Sequence, residues 1–265
     1  MTVTAILALS RRDFLTARSY RLPFIADVTW GVIDLVLYYF ISKIVGPIPA
    51  ADLNGAPSYF AFALAGILLS LMIGSATDEI AGRIRDEQLT GTLELLCAQP
   101  LRTGALAAGY SAFPFAYAAA RITVYLVIAI AALGFDTAST DWLGVIVMFL
   151  VSGLSFSVLG ILAAAAVVVF KRGEIVVTAA IFAMTFVSGA LFPISVLPDW
   201  LQPIGEVMPT NFAFSGLRDA LFVGSGWGSD ALVLLAMGIV GLPLAALAFE
   251  RAIRHARRRG TLAEY

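Results

Sequence analysis

From Ser188 to Gly224 the sequence reads SGALFPISVLPDWLQPIGEVMPTNFAFSGLRDALFVG, an apolar run that meets Pro193, Pro198, Pro203 and Pro209 and then becomes amphipathic. Proline supplies no backbone donor and clashes with the preceding turn. Four of them so close together cannot share one lipid-facing helix, where freed backbone groups find no water. The chain must break here into short pieces at a membrane surface.

The rest of the composition agrees. Of the 265 residues, 60% are hydrophobic and 13% charged, with a mean hydropathy of +0.91. That is more apolar surface than a globular core of this size can hide, so the chain reads as a polytopic membrane protein. The net charge of -1 says little about partners, because the placement of charge matters here. With Cys97 as the single cysteine, no intrachain disulfide can form. Arg11 and Arg12 interrupt the early apolar residues, which argues against a cleaved signal peptide.

Crossing ~30 Å of hydrocarbon takes about 20 residues, and six apolar runs qualify: 24–45, 58–77, 105–133, 142–170, 175–195 and 231–249. The long third run implies tilt, a kink at Pro114 or extension into the cytoplasm. If the runs alternate in direction, one side collects Arg11, Arg12, Arg18, Arg21, Arg83, Arg85, Arg102, Lys171, Arg172, Arg251, Arg254, Arg257, Arg258 and Arg259. The positive-inside rule makes that side the cytoplasm and places both termini there. The proline-broken segment then lies outside.

Residues 1–22 carry Val3, Ile6, Leu7, Phe14 and Ala17 on one side and arginines on the other, the pattern of an amphipathic helix in the inner interface. The alternative is an unstructured basic start. Residues 78–102 form the longest cytoplasmic connection, and Thr90-Gly91 interrupts their helical pattern. A short helix from Thr92 presents Leu93 and Leu96 until Pro100 stops it. The expectation is a charged helix, a break and a second helix, together a lever parallel to the membrane; a solvated helical loop is the plainer reading. The basic tail, 250–265, suits anionic lipid headgroups.

These strings resemble the ABC-2-type transporter permeases. The outer segment is similar to the family's region before its last span, with its Phe-Pro, Pro-x-Trp-Leu (Pro198, Trp200), Pro-Thr (Pro209) and Leu-Arg-x-Ala-Leu elements. The string Arg85-x-Glu87-x3-Gly91-Thr92-Leu93-Glu94-x-Leu96-x3-Pro100 resembles the family's coupling element, departing mildly at Cys97-Ala98-Gln99. The resemblance implies one all-α transmembrane domain over 1–265. It would have six transmembrane helices, an N-terminal interfacial helix, a cytoplasmic coupling helix between helices 2 and 3, and short broken outer helices between helices 5 and 6. It also implies ABC ATPase subunits as partners, holding the ATP and Mg, and a second permease chain in a homodimer or heterodimer. The first and fifth spans would line a path at the meeting of the two chains.

Apart from Lys43 near the end of the first run, three charges fall inside the runs: Asp27, Asp34 and Arg121. Each costs about 2.5 to 3.5 kcal/mol at the centre of a membrane helix, so they should face protein or water. Counting from the cytoplasmic ends brings Asp34 and Arg121 to matched depth as a structural pair, with Asp27 shallower and open to the pathway; the alternative puts Asp34 in a substrate path or proton relay. Phe182, Phe186 and Phe192 would give a pathway an adaptable apolar lining, although such rings more often meet lipid or core. The fourth run carries a face of small residues, Ser152, Gly153, Ser155, Ser157, Gly160 and Ala163 to Ala166, that permits close helix approach.

No G-x-x-x-x-G-K-[ST] loop is present, so ATP must be hydrolysed by another chain and this one is no enzyme. His255, the sole histidine, has no acid or cysteine cluster for a metal, and no nucleic-acid motif accompanies the arginines. The expected role is the permease subunit of an ATP-driven exporter in the cytoplasmic membrane, moving an amphipathic or lipid-like small molecule such as a drug or lipid. Export of a lipid-linked glycan, or a non-transporting role in membrane assembly, are the alternatives.

Overall fold

The computed structural model describes residues 2–19, 21–92, 103–170 and 173–259, and these form helices and short turns with no strand among them. We label the α-helices α1 (Thr2–Ser19), α2 (Arg21–Val45), α3 (Tyr59–Leu89), α4 (Thr103–Leu133), α5 (Trp142–Val169), α6 (Gly173–Val187), α7 (Gln202–Glu206), α8 (Pro209–Arg218) and α9 (Trp227–Arg259). Short 3₁₀ turns at Ala50–Leu53 and Ile194–Val196 and a π turn at Asp219–Val223 complete the described elements.

α3 is the central post. Ser58 caps it by accepting a hydrogen bond from the Ala61 amide at 3.2 Å, and no proline interrupts it. Phe62, Leu64, Leu68 and Leu69 are fully buried on it. Around it, small residues let backbones approach closely. A Cβ on Gly160 of α5 would lie 1.9 Å from the Ala76 carbonyl oxygen of α3, so any side chain there would force the pair apart. On its other side α5 meets α9, where the Ser155 hydroxyl donates to the Leu234 carbonyl and Gly238 lies against Leu154. The small-residue face expected on the fourth run is thus spent on both neighbours. Where lipid is as apolar as the core, such close contact holds helices together through dispersion and hydrogen bonds.

Among the described residues, five helices are long and apolar enough to cross a membrane: 24–45, 59–89, 109–133, 142–169 and 227–258. The expected fifth span is shorter. α6 stops at Val187 instead of reaching Ser195, because Gly189 turns the chain at φ +78° and Pro193 follows. A further expectation is corrected. The charged residues 78–89 continue α3 without a break, making one helix of 31 residues and about 46 Å, so the first limb of the supposed lever extends the second span and does not lie parallel to the membrane. No glycine with positive φ or proline intervenes before Gly91, at φ +70°. Likewise the basic tail continues α9 as helix to Arg259.

The four prolines of the outer segment all avoid helix interiors. Pro193 precedes the 3₁₀ turn, Pro198 lies between elements, and Pro203 and Pro209 occupy the first turns of α7 and α8, where a missing donor costs nothing.

Candidate functional site

Polar chemistry concentrates at three heights. At the inner end, α1 meets the charged extension of α3. Arg12 Nη1 donates to Glu87 Oε1 at 2.7 Å while its Nε reaches Asp13 Oδ1 at 3.2 Å. Asp13, buried at 6% exposure, is also paired with Arg83, whose guanidinium lies 3.9 Å from Glu79. The Thr92 hydroxyl donates to the second Glu87 oxygen. Glu87, a member of the coupling string, is therefore buried and ties α1 to the end of α3 just before Gly91. Burial alone would lower the pKa of Arg12, but the carboxylates of Glu87 and Asp13 outweigh it and raise it. Arg85 is half-buried. Leu93, Glu94, Leu96 and Pro100 lie outside the described residues.

α1 exposes Phe14 and Leu15 and turns Asp13 inward. Those two apolar side chains thus remain free for a bilayer.

Higher up, Arg121 of α4 pairs with Asp27 of α2 at 2.8 Å. Asp34, the expected partner, is half-buried two turns along α2 and has no ion pair among the described residues. Depth counting failed because α4 begins early: its first turns pack beside α1, so eighteen residues into α4 is shallower than it reads. The Tyr117 hydroxyl donates to the same Asp27 oxygen at 2.9 Å, and the Tyr125 hydroxyl reaches the Val28 carbonyl at 3.2 Å. Gly31 permits this crossing, since a Cβ there would lie 2.0 Å from the Tyr125 hydroxyl. Along α4 the rings of Phe113, Tyr117 and Tyr125 alternate with cations: Arg83 lies over Phe113, and Arg121 lies over both tyrosines, each at 5.5 to 5.8 Å from the ring centroid.

At the outer end stands Arg218, at 2% exposure. Its Nη2 donates to the carbonyls of Gly189 at 2.8 Å and Ala190 at 2.9 Å, and its guanidinium lies 3.6 Å from the centre of the Phe62 ring. No carboxylate pairs with it among the described residues; burial pulls its pKa down to about 9, which leaves it charged at neutral pH. The Tyr59 hydroxyl takes the Leu191 carbonyl at 3.0 Å, and Ser188 and Thr210 share a hydrogen bond that closes the turn. A helix broken inside a membrane protein exposes carbonyls, and here side-chain donors receive three in succession. Gly66 presses against the same turn, its would-be Cβ 1.9 Å from the Ala190 oxygen.

Nothing in the hydropathy pattern singles out Arg218. The usable signal was its position four residues after Phe214, which puts both on the buried face of α8. Phe182 and Phe186 are exposed on α6, and with Phe192 they make a continuous row, stacked at 6.2 Å and then edge-on at 4.8 Å between ring centroids. Trp200, after Pro198, is exposed beyond them. No group of three or more metal-ligating side chains occurs among the described residues.

A bundle with five described helices able to cross a membrane, a proline-broken outer turn and a polar joint at its inner end is the architecture of a polytopic membrane protein. Residues 4–222 match the model of the ABC-2 type transporter family, and the chain belongs to that family. Among curated proteins it is similar to the inner membrane transport permease YadH of Escherichia coli K12, at 24% identity over 188 residues covering 71% of this chain and 72% of that one. It is also similar to nodulation protein J of Rhizobium leguminosarum bv. viciae, at 26% identity over 222 residues and 81% of each. The chain is accordingly a multi-pass membrane permease, and its family is a membrane subunit distinct from the ATPase.

Proposed function

We propose that this permease serves an ATP-driven exporter, with six spans, cytoplasmic termini and partner ATPase subunits that bind the ATP and Mg. The observation that carries the reading is the inner joint. Arg12 with Glu87 and Asp13 with Arg83 fasten α1 to the last turn of α3, one step before the Gly91-Thr92-Leu93-Glu94 string that resembles the family's coupling element. A force delivered to that string would reach α3, the post on which the bundle is built. Two such chains would enclose the path, with α2 and α6 facing their counterparts. Both helices carry apolar side chains left uncovered in the single chain, among them Trp30, Ile33, Phe182 and Phe186. Such a lining suits an amphipathic or lipid-like small molecule. The exposed aromatic row also supports the second reading, a lipid-linked glycan, which would set sugar faces against rings.

Reconstitution tests this. The chain should hydrolyse no ATP alone and should move cargo outward when co-reconstituted with its ATPase. Nucleotide turnover by the isolated chain, or normal transport by a Glu94→Lys variant at wild-type levels of assembled complex, would sink the assignment. Inside-out vesicles offered a fluorescent lipid and a lipid-linked glycan in parallel separate the two cargoes.

A further inference from the structure

Between the inner ends of α5 and α9 lies a notch of about 480 Å³ that the transport reading does not use. Its floor is alanine: Ala165 and Ala166 on one helix, Ala248 and Ala252 on the other. Its rim is basic, formed by Arg251 and His255, one turn apart on the same face of α9. Both rim residues are exposed, and Arg251 has no ion pair among the described residues, whereas its neighbour Arg254 is engaged with Glu250 at 3.3 Å. Exposed Val169 and Phe170 close α5 at this level. On α9 the apolar sequence likewise gives way to bases between Phe249 and Arg251.

We propose that this notch holds an anionic phospholipid of the inner leaflet. The chemistry has two ends that one molecule must satisfy. An apolar floor of alanines at the bilayer edge, in a notch of about 480 Å³, favours lipid over free phosphate. A cationic rim directly above it, with an unpaired guanidinium and an imidazole, selects a negatively charged headgroup over a zwitterionic one. Arg251 supplies planar donors that match phosphate oxygens, and His255 adds a second donor from the same side. Alanines matter because larger side chains would fill the space between the helices. Lipid held there would bridge the ends of α5 and α9, the most extensively packed helix pair in the bundle.

Native mass spectrometry of the purified full chain, titrated with phosphatidylglycerol or phosphatidylcholine of matched acyl chains, tests the proposal. The wild type should retain phosphatidylglycerol preferentially, by about fivefold for each basic group that contributes. Arg251→Gln with His255→Gln should abolish the preference, while Arg254→Gln should keep it. Ala248→Leu fills the floor without touching charge and should lower retention of phosphatidylglycerol; Ala166→Leu repeats this from the other helix should the first variant fail to fold. Retention unchanged in the charge-depleted and in a folded filled variant would overturn the site. So would inorganic phosphate displacing the lipid at matched concentration, since then the floor does nothing. Loss of ATPase-subunit binding in the charge-depleted variant, with lipid preference intact, would assign the rim to protein docking instead.

Discussion

The inner and outer ends of this bundle solve the same problem in opposite ways. Below, charges meet charges: Arg12, Asp13, Arg83, Glu79 and Glu87 form a chain of ion pairs with Arg12 half open to water. Above, the buried guanidinium of Arg218 meets carbonyl oxygens and two aromatic faces. The difference follows from what each place has to offer. A broken helix leaves backbone acceptors with no donors, and one planar cation can take two of them at once, whereas a carboxylate would cancel the charge and leave the carbonyls orphaned. In the ion-pair chain Arg12 is half open to water, so that partner can be exchanged for solvent more cheaply than a fully buried cation can. The lower joint is suited to movement and the upper clip to fixity.

Removing the clip should have the largest effect. Arg218→Leu leaves the Gly189 and Ala190 carbonyls without donors and should cost about 3 kcal/mol or more, read as thermal stability in detergent. Arg218→Lys should recover only part, having a charge but no plane to lie on Phe62. If Lys restores full stability, the clip is a matter of charge alone and the contrast with the lower joint collapses. Gly66→Ala, which adds no polar change, should still cost about 1 to 3 kcal/mol by pushing Ala190 away.

The middle height is next. Asp27→Asn and Arg121→Gln should each destabilise, and the double variant should recover much of the loss, giving a coupling of about 1 to 2 kcal/mol. A cycle between Asp34 and Arg121 should return nearly none. The reverse result would restore the pairing that depth counting suggests.

Arg12→Ala should be milder, about 0.5 to 1 kcal/mol, and should shrink as salt is added, because half of that side chain faces water. A salt-independent loss would mean the lower joint is as dry as the upper. The smallest expected effect belongs to Asp141, which caps α5 through the amides of Leu143 and Gly144 and also accepts from Trp227. Those bonds, led by the Gly144 amide, hold its pKa below the ordinary carboxylate value. Its contribution is therefore present above that ordinary value, about 3.9, and is lost as pH falls through the lower folded value. Acid titration of wild type against Asp141→Asn should converge only below about pH 4; convergence near neutrality would contradict the cap.

Much of this fold could be read from hydropathy, because long apolar runs leave little choice but helices, and because prolines 193 to 209 rule out one continuous outer helix. Runs do not show where a helix ends, however. The extension of α3 through residues 78–89 escaped notice since charge was taken to mark a change of element, while a helix leaving a membrane simply changes its surface. The site was less legible still. Asp27 and Arg121 could be recognised as costly charges, yet their pairing depends on how far α4 starts outside the bilayer, which no local pattern encodes. Arg12 with Glu87 and Arg218 with Gly189 are contacts across 75 and 29 residues of chain, set by packing alone.

α3 carries both ends of the comparison. Phe62, under the Arg218 guanidinium, and Glu87, in the grip of Arg12, belong to one unbroken helix, about 37 Å apart along its axis. A shaft of that length, pivoting near its lower end by as little as 5°, sweeps its upper end by about 3 Å, well beyond the few tenths of an ångström by which a hydrogen bond can stretch. The upper clip therefore sets the angular tolerance of the whole post: the shaft cannot lean without lifting Phe62 from the Arg218 guanidinium and Tyr59 from the Leu191 carbonyl.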